Sequence, residues 1–232
     1  MNYTTKISLV IAALFTVSTL RAEAGPTVPF TEDFALGTAN WKNNANADLT
    51  FVASGGPDGS SFVTTPFAFS TAFIDQIALF RGQSGFNSSG GAFNGDWLQE
   101  GVHRLTAYVR HDAIEPLDFF VRLALGVGSP AVSFVNSQQV APGAWTKLDF
   151  DVSFSNPLHQ NEGSPDEAFY NNVLSQVGRV QIGVIRPLSL ATSTTPINYG
   201  LDQVRIVPEP SSAVLGLCFL VCGLAFRKSR ER

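Results

Sequence analysis

Asp202 sits in the closing run Tyr-Gly-Leu-Asp-Gln-Val-Arg-Ile-Val, where two-residue alternation puts it on the same side as Val204 and Ile206. A carboxylate aimed at an apolar interior needs a backbone or arginine partner, or a cation, because an uncompensated buried charge is too costly. Calcium takes oxygen ligands of this kind, and Asp58 in the turn Gly-Gly-Pro-Asp-Gly offers a further oxygen. Asp58 is equally at home as an ordinary turn residue. A second chemistry is sugar stacking. Trp97, Phe86 and Phe93 lie in or beside the Gly/Asn/Ser-rich segment 82–96, which mixes aromatic rings with groups that bond hydroxyls. Core packing is the other use of the same rings. Asp149 and Asp151 share a strand face about 7 Å apart, within reach of a glycosidase carboxylate pair, although a solvated face accounts for them at less cost. His103, His111 and His159 lack metal-site spacing, and Gly82-Gln83-Ser84-Gly85 departs from the nucleophile-elbow pattern. No phosphate-loop or dinucleotide fingerprint is present.

Strands must position these residues. The run Lys-Leu-Asp-Phe-Asp-Val-Ser-Phe at 147–154 alternates apolar with polar and predicts a half-buried antiparallel strand. Similar runs at 61–69, 72–80, 103–110, 117–125, 131–135, 179–185 and 199–207 are separated by Gly, Pro, Asn and Ser clusters. Eight or nine strands so punctuated predict an all-β fold, an antiparallel β-sandwich. The 19 Phe against one Met supply rigid, β-favouring core material. One helix is expected at 166–177, with Ser164 as N-cap, Pro165 at N1 and Glu167 at N3.

The two ends carry addresses. Lys6, the apolar stretch 7–20 and Ala22-Glu23-Ala24 have the order of a signal peptide cleaved after Ala24, with an uncleaved anchor as the alternative. Near the other end, Val207-Pro208-Glu209-Pro210-Ser211 precedes an uncharged apolar run, 213–226, and a basic end, 227–232. Pro208 and Pro210 predict an extended, protease-accessible linker. A 14-residue helix spans about 21 Å against roughly 30 Å of hydrocarbon, a mismatch that bilayer thinning and snorkelling of Arg227 and Lys228 can absorb. A C-terminal core helix is the alternative. The basic end predicts a cytoplasmic C-terminus with the body outside. Two of the 15 basic residues lie before residue 25 and four after 226, leaving nine; Glu23 and Glu231 leave 17 of 19 acidic residues. A body of that sign disfavours nucleic acid. Both cysteines, Cys218 and Cys222, lie in the apolar run, so the body is expected to stand without a disulfide.

The ordered tail, Pro-Glu-Pro then apolar run then basic end, resembles the PEP-CTERM sorting signal of Gram-negative bacteria. That resemblance implies export through the Sec translocon, cleavage by signal peptidase, a single transmembrane helix holding a precursor in the inner membrane, and processing by exosortase. The expected domains are a signal peptide at 1–24, a β-sandwich at 25–207 and a sorting signal at 208–232. The motifs EDFALGTANW, GGPDGSSFVTTPF, PGAWTKLDFDVSF and YGLDQVRIV, in that order, resemble the galactose-binding-like jelly roll of carbohydrate-binding modules. This second resemblance implies a structural calcium joining Glu32 or Asp33 to Asp202, and reads Trp41 and Trp145 as core. Together they imply a non-catalytic cell-surface or extracellular-matrix protein that binds extracellular polysaccharide. A hydrolase or lyase acting on polysaccharide is the alternative, since jelly rolls host both.

Overall fold

The computed structural model describes residues 25–208. The expected signal peptide with Ala22 and Ala24, and the tail with Glu209, Pro210 and Ser211, lie outside the described residues. Among those described, no helix is long and apolar enough to cross a membrane. The first six strands are β1 (Phe30–Glu32), β2 (Lys42–Asn43), β3 (Thr50–Val52), β4 (Phe62–Phe67), β5 (Gln76–Gln83) and β6 (Val102–His111). The remaining six are β7 (Phe119–Ala124), β8 (Ala131–Val135), β9 (Thr146–Asp151), β10 (His159–Asn161), β11 (Arg179–Ile185) and β12 (Ile197–Pro208). They form an antiparallel β-sandwich. One sheet has the order β3-β4-β12-β6-β9, with β1 also on β12; the other has the order β10-β8-β7-β11-β5-β2.

Alternation drives this architecture. Leu148, Phe150 and Val152 are buried while Lys147, Asp149 and Asp151 are exposed, so β9 and its extension give one face to the core and one to water. Asp149 pairs with Arg104 across the solvated face, the less costly of the two readings of that acid pair. The facing sheets enclose Trp41, Phe80, Phe119, Phe134 and Phe150, each of them fully or almost fully buried. Each such side chain contributes roughly 1.5–3 kcal/mol relative to exposure. This core is built within residues 25–208, which gives the segment what independent folding requires.

Two irregularities interrupt the ladders. Residues 197–201 of β12 pair with β4, and 204–206 pair with β1 on the same edge. The hand-over falls at Asp202 and Gln203, where the ladder to β6 shifts register and Gln203 has φ 48°. In β5, Ile182 faces Phe80 but Gly183 faces Ala78, so Leu79 is an extra residue, and Leu79 and Phe80 both point into the core.

Several expectations need correcting. The strand expected at 72–80 runs from Gln76 to Gln83, which frees residues 72–75 as a loop. The short strands β1, β2, β3 and β10 escape a periodicity reading because two or three residues define no period. The helix α1 spans Glu167–Leu174, and its N-cap is Asp166, not Ser164. The Asp166 carboxylate accepts the Phe169 N–H at 2.7 Å, and the Ser164 hydroxyl donates to Asp166 instead of capping the helix. The last strand reaches past the expected Val207 to Pro208, which pairs with Val102, so the first proline of the expected linker belongs to the sheet.

Candidate functional site

The outer face of the β10-β8-β7-β11-β5-β2 sheet is built by register. Val180, Ile182 and Val184 of β11 turn into the core, which leaves Arg179, Gln181 and Gly183 on the far side. Pairing then aligns one polar row across all six strands: Lys42, Arg81, Gln181, Arg122, Ser133 and Gln160. In a flat sheet the strands carrying Gln160 (β10) and Gln76 (β5) lie about 19 Å apart, four strand spacings, before the offset along the strands is added. Yet Gln76 Nε2 donates to Gln160 Oε1 at 3.3 Å, so the sheet curls over its own face. The hollow is a cleft of about 700 Å³.

Arg122 anchors its floor. The guanidinium grips both oxygens of Glu162, Nη2 to Oε2 at 2.6 Å, and donates to Gln181 Oε1 at 2.7 Å and to the Gly128 carbonyl at 2.8 Å. Phe120 makes a second part of the floor, seated over Gly183. A Cβ there would lie 2.1 Å from the Ile77 carbonyl oxygen and 2.7 Å from the Phe120 ring, so the ring covers this glycine. Phe73 and Ile74 line the cleft from the β4–β5 loop, exposed by 100% and 66%. The loop is not left loose. Arg186 Nη1 donates to the Ala72 carbonyl at 3.0 Å, its Nη2 to Asp75 Oδ1 at 2.7 Å, and its backbone N–H to the Asp75 carbonyl at 2.7 Å.

The aromatic residues expected to meet a sugar lie elsewhere. Trp97 has no exposed surface; its Nε1 donates to the Phe93 carbonyl at 2.8 Å. Phe93 is 3% exposed and packs edge-on against Phe30 and Trp41. Neither ring offers a face to a ligand, which corrects both assignments. Phe86 is half-buried, with Lys42 Nζ 5.8 Å from its ring centre. Segment 82–96 closes one end of the core: Ser88 Oγ accepts from Gln83 N and donates to the Asn40 carbonyl, and Ser89 Oγ accepts from Trp41 Nε1. Trp41 is core as expected, but Trp145 is half-buried, edge-on to Phe62 with its Nε1 on the Gly55 carbonyl. Phe73 escaped notice because it falls inside the expected strand 72–80; Asp75, a turn-favouring residue in that run, was the available signal.

Asp202 is buried, as alternation required. Its Oδ2 accepts from Ser60 Oγ at 2.6 Å and its Oδ1 from the Gln203 N–H at 2.7 Å. Burial raises its pKa above the ordinary 3.8, and the nearby Asp58 and Asp33 carboxylates push it the same way. Gly56 lets the 53–61 loop approach, since a Cβ there would stand 2.8 Å from Asp202 Oδ2. Asp58 accepts from Gln203 Nε2 at 3.3 Å. Glu32 and Asp33 are occupied in their own turns, accepting from Phe34 N and Ala35 N. Among the described residues no three His, Cys, Asp or Glu side chains are gathered as a metal centre. Of the expected candidates, Asp58 and Asp33 lie within electrostatic range of the buried Asp202.

No family model matches this chain, and no curated protein does. Among solved structures it is similar to a xylan-binding domain from Paenibacillus barcinonensis, at 14% identity and TM-score 0.45, covering 79% of this chain and 96% of that one. It is similar to a Clostridium thermocellum endo-1,4-β-D-xylanase fragment complexed with xylohexaose, at 16% identity and TM-score 0.45, covering 78% of this chain. This chain spans only 28% of that xylanase chain's length. It is also similar to the L4b domain of human laminin alpha-2, at 8% identity and TM-score 0.46, covering 78% and 98%.

Proposed function

We propose that residues 25–208 form a non-catalytic polysaccharide-binding β-sandwich whose site is the curled outer face of the sheet β10-β8-β7-β11-β5-β2. The observation that carries this reading is the cleft itself: a row of polar side chains on a rigid sheet, with a fully exposed aromatic ring, Phe73, on a loop clamped by Arg186. Amide and guanidinium groups meet hydroxyls, and the ring stacks on a sugar face. A clamped loop loses little freedom on binding, which favours affinity. Glycoside hydrolysis calls for two carboxylates flanking the bond. Among the cleft's lining residues Glu162 is the one acid, and Arg122 holds both of its oxygens. Residues 25–208 should bind soluble polysaccharides from a panel including xylan, alginate and dextran sulfate without releasing products. Phe73→Ala should weaken binding about tenfold or more, the loss of a stacking contact. Product release, or no binding, would overturn the reading.

Sorting is the second part of the proposal. The Val207-Pro208-Glu209-Pro210-Ser211 motif with the apolar run and basic end after it supports handling by exosortase, after export through the Sec translocon and cleavage by signal peptidase near Ala22 to Ala24. The protein would then pass from an inner-membrane precursor to the cell surface or extracellular matrix.

Calcium belongs to the reading as a proposal at Asp202, supported by a buried carboxylate that joins no ion pair among the described residues. The sign is definite without metal. A carboxyl whose folded pKa is raised favours folding below its unfolded value of 3.8, and that contribution is lost as pH rises through the folded pKa. In chelator, Asp202→Asn should therefore gain on the unaltered protein as pH rises from about 4 to 7. Added calcium should raise the melting temperature of the unaltered protein and leave Asp202→Asn unmoved. Identical melting with calcium and with chelator would remove the ion.

A further inference from the structure

The cleft carries a net positive charge on a body that is otherwise net negative. Residues 25–208 hold nine Lys and Arg against 16 Asp and Glu, yet Arg81, Arg122 and Arg179 all line this one hollow, beside the single acid Glu162. Glu162 is spent on Arg122. Arg81 and Arg179 pair with no carboxylate among the described residues. Arg81 Nη1 reaches the amide oxygen of Asn46 at 3.2 Å, while its Nε is buried with no partner. Arg179 places Nε on the Gly126 carbonyl at 2.8 Å and lays its guanidinium over Gly128, where a Cβ would be 2.8 Å from Nη1. Beside it, Gln83 Nε2 is likewise buried without a partner.

Burial, then the charges of Arg179 and Arg122, hold the Arg81 guanidinium below its ordinary pKa; burial, then Arg122, does the same for Arg179. Like charges gathered in a partly dry hollow repel one another, and an unmet buried donor adds to that cost. An anion entering the hollow relieves both, and the planar guanidinium fork suits carboxylate and sulfate oxygens. Resting on the polysaccharide-binding reading above, we propose that this cleft takes a polysaccharide bearing anionic groups, uronate carboxylate or sulfate. Arg81 and Arg179 contact the anions, Arg122 and Glu162 hold the floor, and Phe73 stacks on a neighbouring ring. Nucleic acid is the competing polyanion, but duplex DNA carries a charge every 1.7 Å or so, and the acidic surroundings repel that density more than one charge per sugar.

The test measures binding of residues 25–208 to alginate, dextran sulfate, uncharged dextran, xylan and single-stranded DNA, each at about 0.05 M and 0.5 M salt. Alginate or dextran sulfate should bind at least about tenfold more tightly than dextran or xylan, and should lose most of that affinity at the higher salt. The preferred polymer distinguishes carboxylate from sulfate. Arg81→Ala and Arg179→Ala should each weaken this binding about tenfold, with Arg179→Lys in between because it keeps charge without the fork. Thermal melts show which variants fold, and the salt titration of the unaltered protein decides the matter where one does not. Equal, salt-independent binding of dextran or xylan would overturn the anion inference and leave the binding reading standing. Preference for DNA would also overturn the anion inference. Binding of no polysaccharide would overturn the binding reading itself.

Discussion

Trp97→Ala is expected to cost about 3–5 kcal/mol of stability, the usual result of emptying a buried aromatic site. For a domain of this size that is a fall in melting temperature on the order of 10 °C. The side chain is fully enclosed, and three hydrogen bonds run through the residue: Nε1 to the Phe93 carbonyl at 2.8 Å, its N–H to the Leu174 carbonyl at 2.9 Å, and its carbonyl from the Val102 N–H at 2.8 Å. Trp97 thereby ties segment 82–96 to the end of α1 and the start of β6. Loss of polysaccharide affinity in this variant should track loss of fold, as read by circular dichroism on the same samples. A folded, fully stable Trp97→Ala with affinity selectively lost would place the ligand at Trp97 and contradict its burial.

Gly183→Ala is the second large effect. A methyl at this position meets the Ile77 carbonyl oxygen at 2.1 Å and the Phe120 ring at 2.7 Å. The carbonyl is backbone within a paired strand and cannot swing aside, so either β5 and β11 separate at the bulge or Phe120 leaves its seat over the glycine. Overpacking of this kind costs typically about 1–3 kcal/mol, and the direct backbone clash puts Gly183→Ala at or above the upper end. Because the Phe120 ring that covers Gly183 lines the cleft, the surviving folded fraction should also bind polysaccharide more weakly. Denaturant unfolding measures the first effect and affinity at a fixed folded concentration the second. Unchanged stability would mean that the close approach does not exist in solution.

Sequence carried some of this and not the rest, for physical reasons. Alternation is local, so the two faces of β9 and the inward turn of Asp202 were legible from Leu148, Phe150, Val204 and Ile206 alone. The same rule misplaced the strand at 72–80, because a bulge at Leu79 puts two successive residues into the core and resets the phase. Phe73 was hidden by that error. The polar row from Lys42 to Gln160 was not legible at all, since it exists only through the register of five strand pairs distant in sequence. Segment 82–96 misled in the opposite sense. Its Gly, Asn and Ser content looked like a ligand loop, whereas Asn87 and Ser89 adopt positive φ and Ser88 and Ser89 bond inward to close the core around Trp41. The burial of Asp202 followed from alternation, but the turns that occupy Glu32 and Asp33 depend on backbone geometry that composition does not encode.

On the proposed reading, ligand binding belongs to the curled sheet face and not to segment 82–96. Paired variants separate the two, because Phe73 lines the cleft and Phe86 is half-buried where the other expected sugar contacts, Trp97 and Phe93, are buried. With the polysaccharide that binds residues 25–208 most tightly, Phe73→Ala should weaken affinity about tenfold or more while Phe86→Ala leaves it within about twofold. The reverse order, affinity lost with Phe86 and kept without Phe73, would contradict the account.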